Sequence, residues 1–223
     1  MMNEKLKLLA ICIERGKVDS QTSYPPDMQG QSGASELTRE LLDEDVDPND
    51  ILAKALMVGM QRIGDKFGNG QAFIPDLLIA AKAMYAAMAH LKPYFDSGAA
   101  RHKGTIILGT VAGDLHDIGK NLVRMVMEGD GWKVIDLGTN VSAEKFVDSV
   151  RSNPGSMVGL SALLTTTMLN MGPITQKVKE LNAETKVFVG GAPLSQQFCD
   201  KIGADGYFPD PQSLVRHLNT KPN

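Results

Sequence analysis

The second half of the chain constrains the fold most. From residue 105 onward, short runs rich in β-branched and other apolar residues alternate with helix-length amphipathic segments. The runs are 105–111, 132–137, 156–161, 186–190 and 206–208, and the segments between them are 117–130, 142–152, 167–182 and 194–202. A last helix opens at Asp210-Pro211. Strict strand–helix alternation selects a parallel sheet with helices on both faces. Five strands in roughly 120 residues is the size of a flavodoxin-like (Rossmann-like) domain.

The first half carries no strand pattern. Leu6, Leu9 and Ile13 lie at helical spacing, which predicts a helix over residues 3–15. A polar stretch over 20–33, with paired prolines and two glycines, reads as a long surface loop inserted between the first two helices. Ser35 is then a candidate cap for a helix carrying Leu37, Leu41 and Leu42. Asp47-Pro48 signals a third start, and the helix after it places Leu52, Leu56, Gly59, Met60 and Ile63 on one stripe. Pro75 opens a fourth, with Leu77, Ala81, Met84, Met88 and Leu91 as a bundle seam, and Pro93 closes it. The expected organisation is a four-helix domain over 1–94, a linker over 95–104 and an α/β domain over 105–223.

A formal charge of −3 offers no basic excess to a phosphate backbone, so nucleic acid is not an expected partner. No apolar run reaches the roughly 20 residues that span a bilayer, and the amino end lacks the features of a signal peptide. The two cysteines, Cys12 and Cys199, are far apart and form neither a disulfide framework nor a zinc signature. A cytoplasmic location is expected.

Chemistry concentrates in three loops that follow strands. The first is Gly113-Asp114-Leu115-His116-Asp117-Ile118-Gly119, with one His between two Asp. Imidazole is a metal ligand, and a carboxylate can hold its other nitrogen in one tautomer. The second, Ser161 to Thr167, is dense in hydroxyls. The third is Gly190-Gly191-Ala192-Pro193, where bare backbone admits a close approach. Loops after strands 1 and 3 flank the switch point of such a sheet, where ligands bind. Taken one at a time, each has a plainer reading: a surface His, a helix N-cap at Asp114 or Asp117, turn hydroxyls, a glycine connection. The spacing of Gly113 to Gly119 excludes the two glycine-rich phosphate fingerprints.

Asp114-Leu115-His116-Asp117-Ile118-Gly119, Ser161-Ala162-Leu163 and Gly190-Gly191 resemble the D-x-H-x-x-G, S-x-L and G-G set of cobalamin-binding domains. The resemblance implies a corrinoid bound base-off, with His116 as lower cobalt ligand in place of dimethylbenzimidazole. It implies that Asp114 bonds the far ring nitrogen and that Thr167 completes a His–Asp–hydroxyl relay, at a position where methionine synthase has Ser. Gly113, Leu115, Asp117 and Ile118 would lie along the cofactor, Asp117 either there or as a helix cap, with Gly119 allowing the next helix to pack closely. Ser161, Leu163 and Thr165 would line the pocket of the nucleotide tail, with Gly190 and Gly191 beside the benzimidazole.

Met60 to Leu78 is similar to the cap module of methionine synthase and of corrinoid methyltransferase proteins. Phe67 and Ile74 match the two apolar side chains that cover the upper face, whereas Phe73 is read as bundle core. The chain therefore resembles the methyl carrier of a multi-component system, a subunit rather than a complete enzyme. There a substrate-specific methyltransferase moves a methyl from a methoxylated aromatic, methanol or a methylamine onto Co(I). A second methyltransferase passes it from methyl-Co(III) to tetrahydrofolate or a thiol, and a reductive activase serves the pair. The cap must move aside, so the linker is expected to be a hinge. The alternatives are the small subunit of an adenosylcobalamin mutase, a cobalamin sensor, and a cobalamin-free flavodoxin-like regulatory domain.

Overall fold

The computed structural model describes residues 4–98 and 100–220. Residues 1–3, 99 and 221–223, which fall in the expected first domain, linker and last domain, lie outside the described residues. The chain forms two compact units: residues 1–102 with 129–131, and residues 103–128 with 132–223.

The first unit is helical: α1 (Glu4–Arg15), α2 (Ala34–Asp43), α3 (Pro48–Ile51), α4 (Met57–Gly68) and α5 (Ile74–Asp96). Asp47 caps α3 by accepting from the Asn49 N–H, as the Asp-Pro pair implies. Leu6, Leu9, Ile13, Leu37, Leu41, Leu56, Met60, Leu77, Met84 and Leu91 are buried, so the apolar stripes read from the sequence form the core. A Cβ on Gly59 would come within 2.6 Å of the Ala10 carbonyl oxygen, which marks how closely α4 lies on α1. Burial pushes the Cys12 thiol up to about 11, an inert core sulfur.

Three sequence expectations are corrected here. Ser35 does not cap α2; Gly33 holds that position, its N–H donating to Glu36. Ser35 sits in the first turn, its hydroxyl 2.9 Å from His90 Nε2. Pro93 does not end α5, which continues for three more residues and closes with Ser97 N–H donating to the Pro93 carbonyl. A proline this near the end forfeits one helical hydrogen bond without breaking the helix. Residues Leu52–Leu56 form a π-helical turn between α3 and α4. The stretch over 20–33 is the largely exposed loop that the sequence implies, and it is pinned at several points. Met28 is buried, Arg15 grips Asp27 with two hydrogen bonds of 2.7 Å, and the buried Lys17 donates to the Thr22 carbonyl.

The second unit is a five-stranded parallel sheet, β1 (Thr105–Thr110), β2 (Lys133–Asp136), β3 (Met157–Ser161), β4 (Val187–Gly190) and β5 (Gly206–Tyr207), in the order β2-β1-β3-β4-β5. Each observed strand is one or two residues shorter than its apolar run. Helices α6 (Ile118–Gly129), α7 (Ala143–Ser152), α8 (Met171–Leu181), α9 (Gln196–Ile202) and α10 (Pro211–Thr220) complete it. Side chains alternate across the sheet. Ile107, Val158, Leu160, Val187 and Val189 meet Phe146, Val150, Ile174, Val178 and Cys199 from α7, α8 and α9. Ile106, Leu108 and Phe188 meet Val126, Met127, Leu214 and Val215 from α6 and α10.

Asp205, just before β5, accepts from Lys179 at 2.6 Å, Lys186 at 3.0 Å and the Val187 N–H at 2.8 Å. Burial opposes ionisation, but these donors hold its carboxyl below the usual carboxylate range. A depressed folded pKa contributes stability above the unfolded value of about 4, and that stability is lost as the pH falls through the folded pKa. Asp205→Asn is therefore expected to lower stability at pH 7 and to flatten its loss below about pH 4. Urea midpoints measured from pH 7 to pH 3 check this; parallel curves for the two proteins would exclude the role. No helix among the described residues is long and apolar enough to cross a membrane.

Candidate functional site

Strand register sets the height of the loops. Thr110 at the end of β1 pairs with Ser161 at the end of β3, and Ser161 with Gly190 at the end of β4. The three loops therefore leave the sheet level with one another, on either side of the β1/β3 switch point.

Asp114 organises them. It is fully buried, and its carboxylate is saturated. Oδ1 accepts from the His116 main-chain N–H at 3.1 Å, an Asx turn, and lies 2.8 Å from His116 Nδ1. Oδ2 accepts from the Leu163 N–H at 2.8 Å, the Leu164 N–H at 3.4 Å and the Thr167 hydroxyl at 2.7 Å. Burial alone would raise its pKa; the Thr167 hydroxyl, the Leu163 and His116 N–H groups and the imidazole hold it well below the carboxylate range. Asp114 is thus an anion, and the proton between it and His116 sits on Nδ1. With Nδ1 engaged by Asp114, Nε2 is the remaining ring nitrogen, on a side chain that is 50% exposed. The Thr110 hydroxyl fixes the other side of the loop by donating to the His116 carbonyl at 2.9 Å.

The remaining sequence-derived residues divide. Leu115 and Ile118 are 73% and 68% exposed, with Leu163 and Leu164 beside the Asp114 carboxylate also exposed. Asp117 is exposed and accepts from the Asn121 side chain at 3.0 Å. Gly119 is not a packing glycine: a Cβ there would meet nothing within 4 Å, because it lies on the open first turn of α6. Ser161 ends β3 and Thr165 is exposed in the following loop. Gly191, at φ +136°, is demanded by the protein itself: a Cβ would lie 1.9 Å from the Ala162 carbonyl oxygen. Gly190 is less crowded: a Cβ there would lie 3.2 Å from the Phe208 carbonyl oxygen. Phe67 and Ile74 belong to the helical unit, the first half-buried and the second 40% exposed. Phe73 is 69% exposed, contrary to its reading as core. It is the extended N-cap of α5, outside the helix whose seam forms that core.

Two contributions escaped the sequence reading. The buried Lys120 reaches both Asp136 oxygens at 2.7 Å and Asn121 Oδ1 at 2.8 Å, tying the start of α6 to the end of β2. Asn140, in the loop after β2, accepts from the Gly113 N–H at 2.7 Å through Oδ1, and its own N–H donates to the Asp114 carbonyl at 2.9 Å. The available signal was Gly138-Thr139-Asn140 following a strand, a residue pattern that tolerates positive φ.

A flavodoxin-like sheet with a carboxylate-backed imidazole at its switch point, preceded by a helical unit, defines a B12-binding class of protein, and the family comparisons agree. The B12 binding domain matches residues 104–215, and a second family described as a B12 binding domain matches 31–92. The chain belongs to the corrinoid proteins. It is 40% identical over 178 residues to trimethylamine corrinoid protein 2 of Methanosarcina mazei, covering 78% of this chain and 82% of the relative. It is 41% identical over 190 residues to a corrinoid protein of Desulfitobacterium hafniense, covering 83% and 88%. Among solved structures, a chain of the methanol:cobalamin methyltransferase complex of Methanosarcina barkeri aligns with a TM-score of 0.81 at 27% identity, covering 98% of this chain and 80% of that one. A cobalamin-binding protein from Desulfitobacterium hafniense aligns at 0.72 and 29%, covering 96% and 97%.

Proposed function

We propose that this protein is the corrinoid methyl carrier of a multi-component methyltransferase. It would work between a substrate-specific methyltransferase and a second one that delivers to tetrahydrofolate or a thiol, with a reductive activase as third partner. The observation that carries the reading is the Asp114 carboxylate shared between His116 Nδ1 and the Thr167 hydroxyl, which leaves Nε2 as the ring nitrogen for a ligand.

The donor set fits a corrinoid. Among the described residues no three His, Cys, Asp or Glu side chains cluster to hold a metal ion. A bare zinc ion asks a protein for three or four donors; a metal already ringed by a macrocycle asks for one axial donor. Exposed Leu115, Ile118, Leu163 and Leu164 offer apolar surface around that donor, and the open space at Gly119 admits a bulky group.

In this reading His116 is the lower ligand to a base-off cofactor. Asp114 holds the proton at Nδ1 and raises the donor strength of Nε2. Thr167 keeps Asp114 ionised and provides the far end of a chain that takes up changes of charge. Ser161, Leu163, Thr165, Gly190 and Gly191 would receive the nucleotide tail. When bound, the corrinoid supplies a cobalt that takes up and gives up a methyl group. Methylamines are the favoured donors, because relatives at 39–41% identity are named trimethylamine and dimethylamine corrinoid proteins.

The test is reconstitution with hydroxocobalamin, desalting and an absorbance spectrum, then reduction and addition of trimethylamine with a trimethylamine methyltransferase. Retained corrinoid with a base-off spectrum, and methyl uptake that requires the methyltransferase, is the expected result. Loss of the corrinoid on desalting overturns the reading. Retention without methyl uptake from any methylamine, methanol or methoxylated aromatic overturns the carrier role.

A further inference from the structure

We infer that Asn140 is a positioning residue for His116, a role that rests on the ligation reading above. Two neighbouring loops hold the His116 segment: the loop after β3, through Asp114, and the loop after β2, whose order beside β1 brings Gly138 to Val141 alongside Gly113 and Asp114.

Asn140 grips two consecutive residues from two directions. Its side-chain oxygen takes the Gly113 N–H, and its main-chain N–H serves the Asp114 carbonyl. To do both it adopts φ +52°, a conformation most side chains avoid and asparagine tolerates better. Gly113, itself at φ +80°, is the turn that aims the Asp114 side chain inward, and Asp114 in turn aims the imidazole. The grip is flanked by Thr110, which donates its main-chain N–H to Gly138 and its hydroxyl to His116, and by Asn170, which donates to the Ala112 carbonyl at 2.8 Å.

The balance of effects separates positioning from stability. The Gly113–Asn140 bond is solvent-exposed, so water replaces it at small cost to folding. What water does not replace is direction: the bond fixes the peptide one residue ahead of the carboxylate that orients the ring. Axial ligation needs that ring placed to within about half an ångström. Holding a left-handed asparagine at an exposed turn is backbone strain kept where geometry matters more than stability.

Three variants dissect the grip. Asn140→Gly accepts the backbone conformation but lacks the acceptor, Asn140→Asp keeps both, and Asn140→Ala lacks both. Two readouts are used. Amide hydrogen exchange on the corrinoid-free protein reads the loop directly. The nitrogen hyperfine splitting of cobalt(II) in the hydroxocobalamin-reconstituted, reduced protein reads ligation. Asn140→Gly is expected to speed exchange at Gly113 about tenfold, with the β1, β3 and β4 amides unchanged, and to lower the fraction of cobalt showing the splitting. Asn140→Asp is expected to restore both, and Asn140→Ala to be at least as impaired as Asn140→Gly. Wild-type splitting and wild-type Gly113 exchange in Asn140→Gly would overturn the role. So would faster exchange spread across the strands, which would make Asn140 a residue of the fold alone. If the unaltered protein shows no splitting while Asn140→Gly still loosens Gly113, the ligation reading has failed and the loop geometry has not.

Discussion

His116→Ala is expected to abolish the nitrogen hyperfine splitting of cobalt(II) while leaving most of the corrinoid attached. The ring is half exposed, and among the described residues its one hydrogen bond is to Asp114, so its removal takes about 1 kcal/mol or less from the stability of the fold. Asp114 keeps its bonds from the His116, Leu163 and Leu164 N–H groups and from the Thr167 hydroxyl, and the loop retains its shape. The surface proposed for the nucleotide tail, at Ser161, Leu163, Thr165 and the glycine pair, is untouched. Electron paramagnetic resonance of the reduced, reconstituted variant gives the answer, with added imidazole as a rescue. A splitting that persists unchanged would remove His116 from the role of ligand.

Asp114→Asn is expected to reverse that pattern, costing the fold more and ligation less. The carboxylate accepts from five donors drawn from two loops. A carboxamide has one oxygen, so its NH2 group must face N–H or O–H donors on one side or the other. Buried donors left unpaired cost about 1–3 kcal/mol each, and a total loss of about 2–4 kcal/mol is expected. Imidazole ligation survives with a weaker donor, because the ring no longer faces an anion. Thr167→Val, which removes one donor and preserves shape, should cost about 1–2 kcal/mol. Urea denaturation of the three corrinoid-free proteins orders them. If Asp114→Asn is as stable as the parent, Asp114 does not tie these loops together.

The sheet was legible because continuous apolar runs and helical stripes write themselves into sequence at short range. Thr105 to Val111 and Lys186 to Gly190 need no distant residue to be read as strands. The Asp114-x-His116 pair was equally local. Thr167 lies 53 residues from Asp114 and came into view through family resemblance rather than through spacing. Asn140 stayed hidden because Gly138-Thr139-Asn140 is an ordinary turn by composition, and its meaning arises only once strand order sets β2 beside β1. The π turn at Leu52–Leu56 was illegible for another reason. Leu, Ala and Lys are good helix formers in any register, so propensity does not mark the position where the hydrogen bonds slip by one residue. Phe73 misled because one step outside the α5 helix turns a side chain from the seam to solvent.

The single outward imidazole also decides what the protein ignores. First-row ions compete for nitrogen donors in an order that favours copper, nickel and zinc over cobalt, and a pocket with several protein ligands inherits that competition. One imidazole in the loop after β1, in no group of three or more His, Cys, Asp or Glu side chains among the described residues, is a poor trap for any loose ion. In the proposed function, the choice of metal would be made elsewhere, when the macrocycle is built, and would arrive here as a finished decision. Such a carrier has no need of a metallochaperone, and an excess of zinc should leave its loading with corrinoid unchanged.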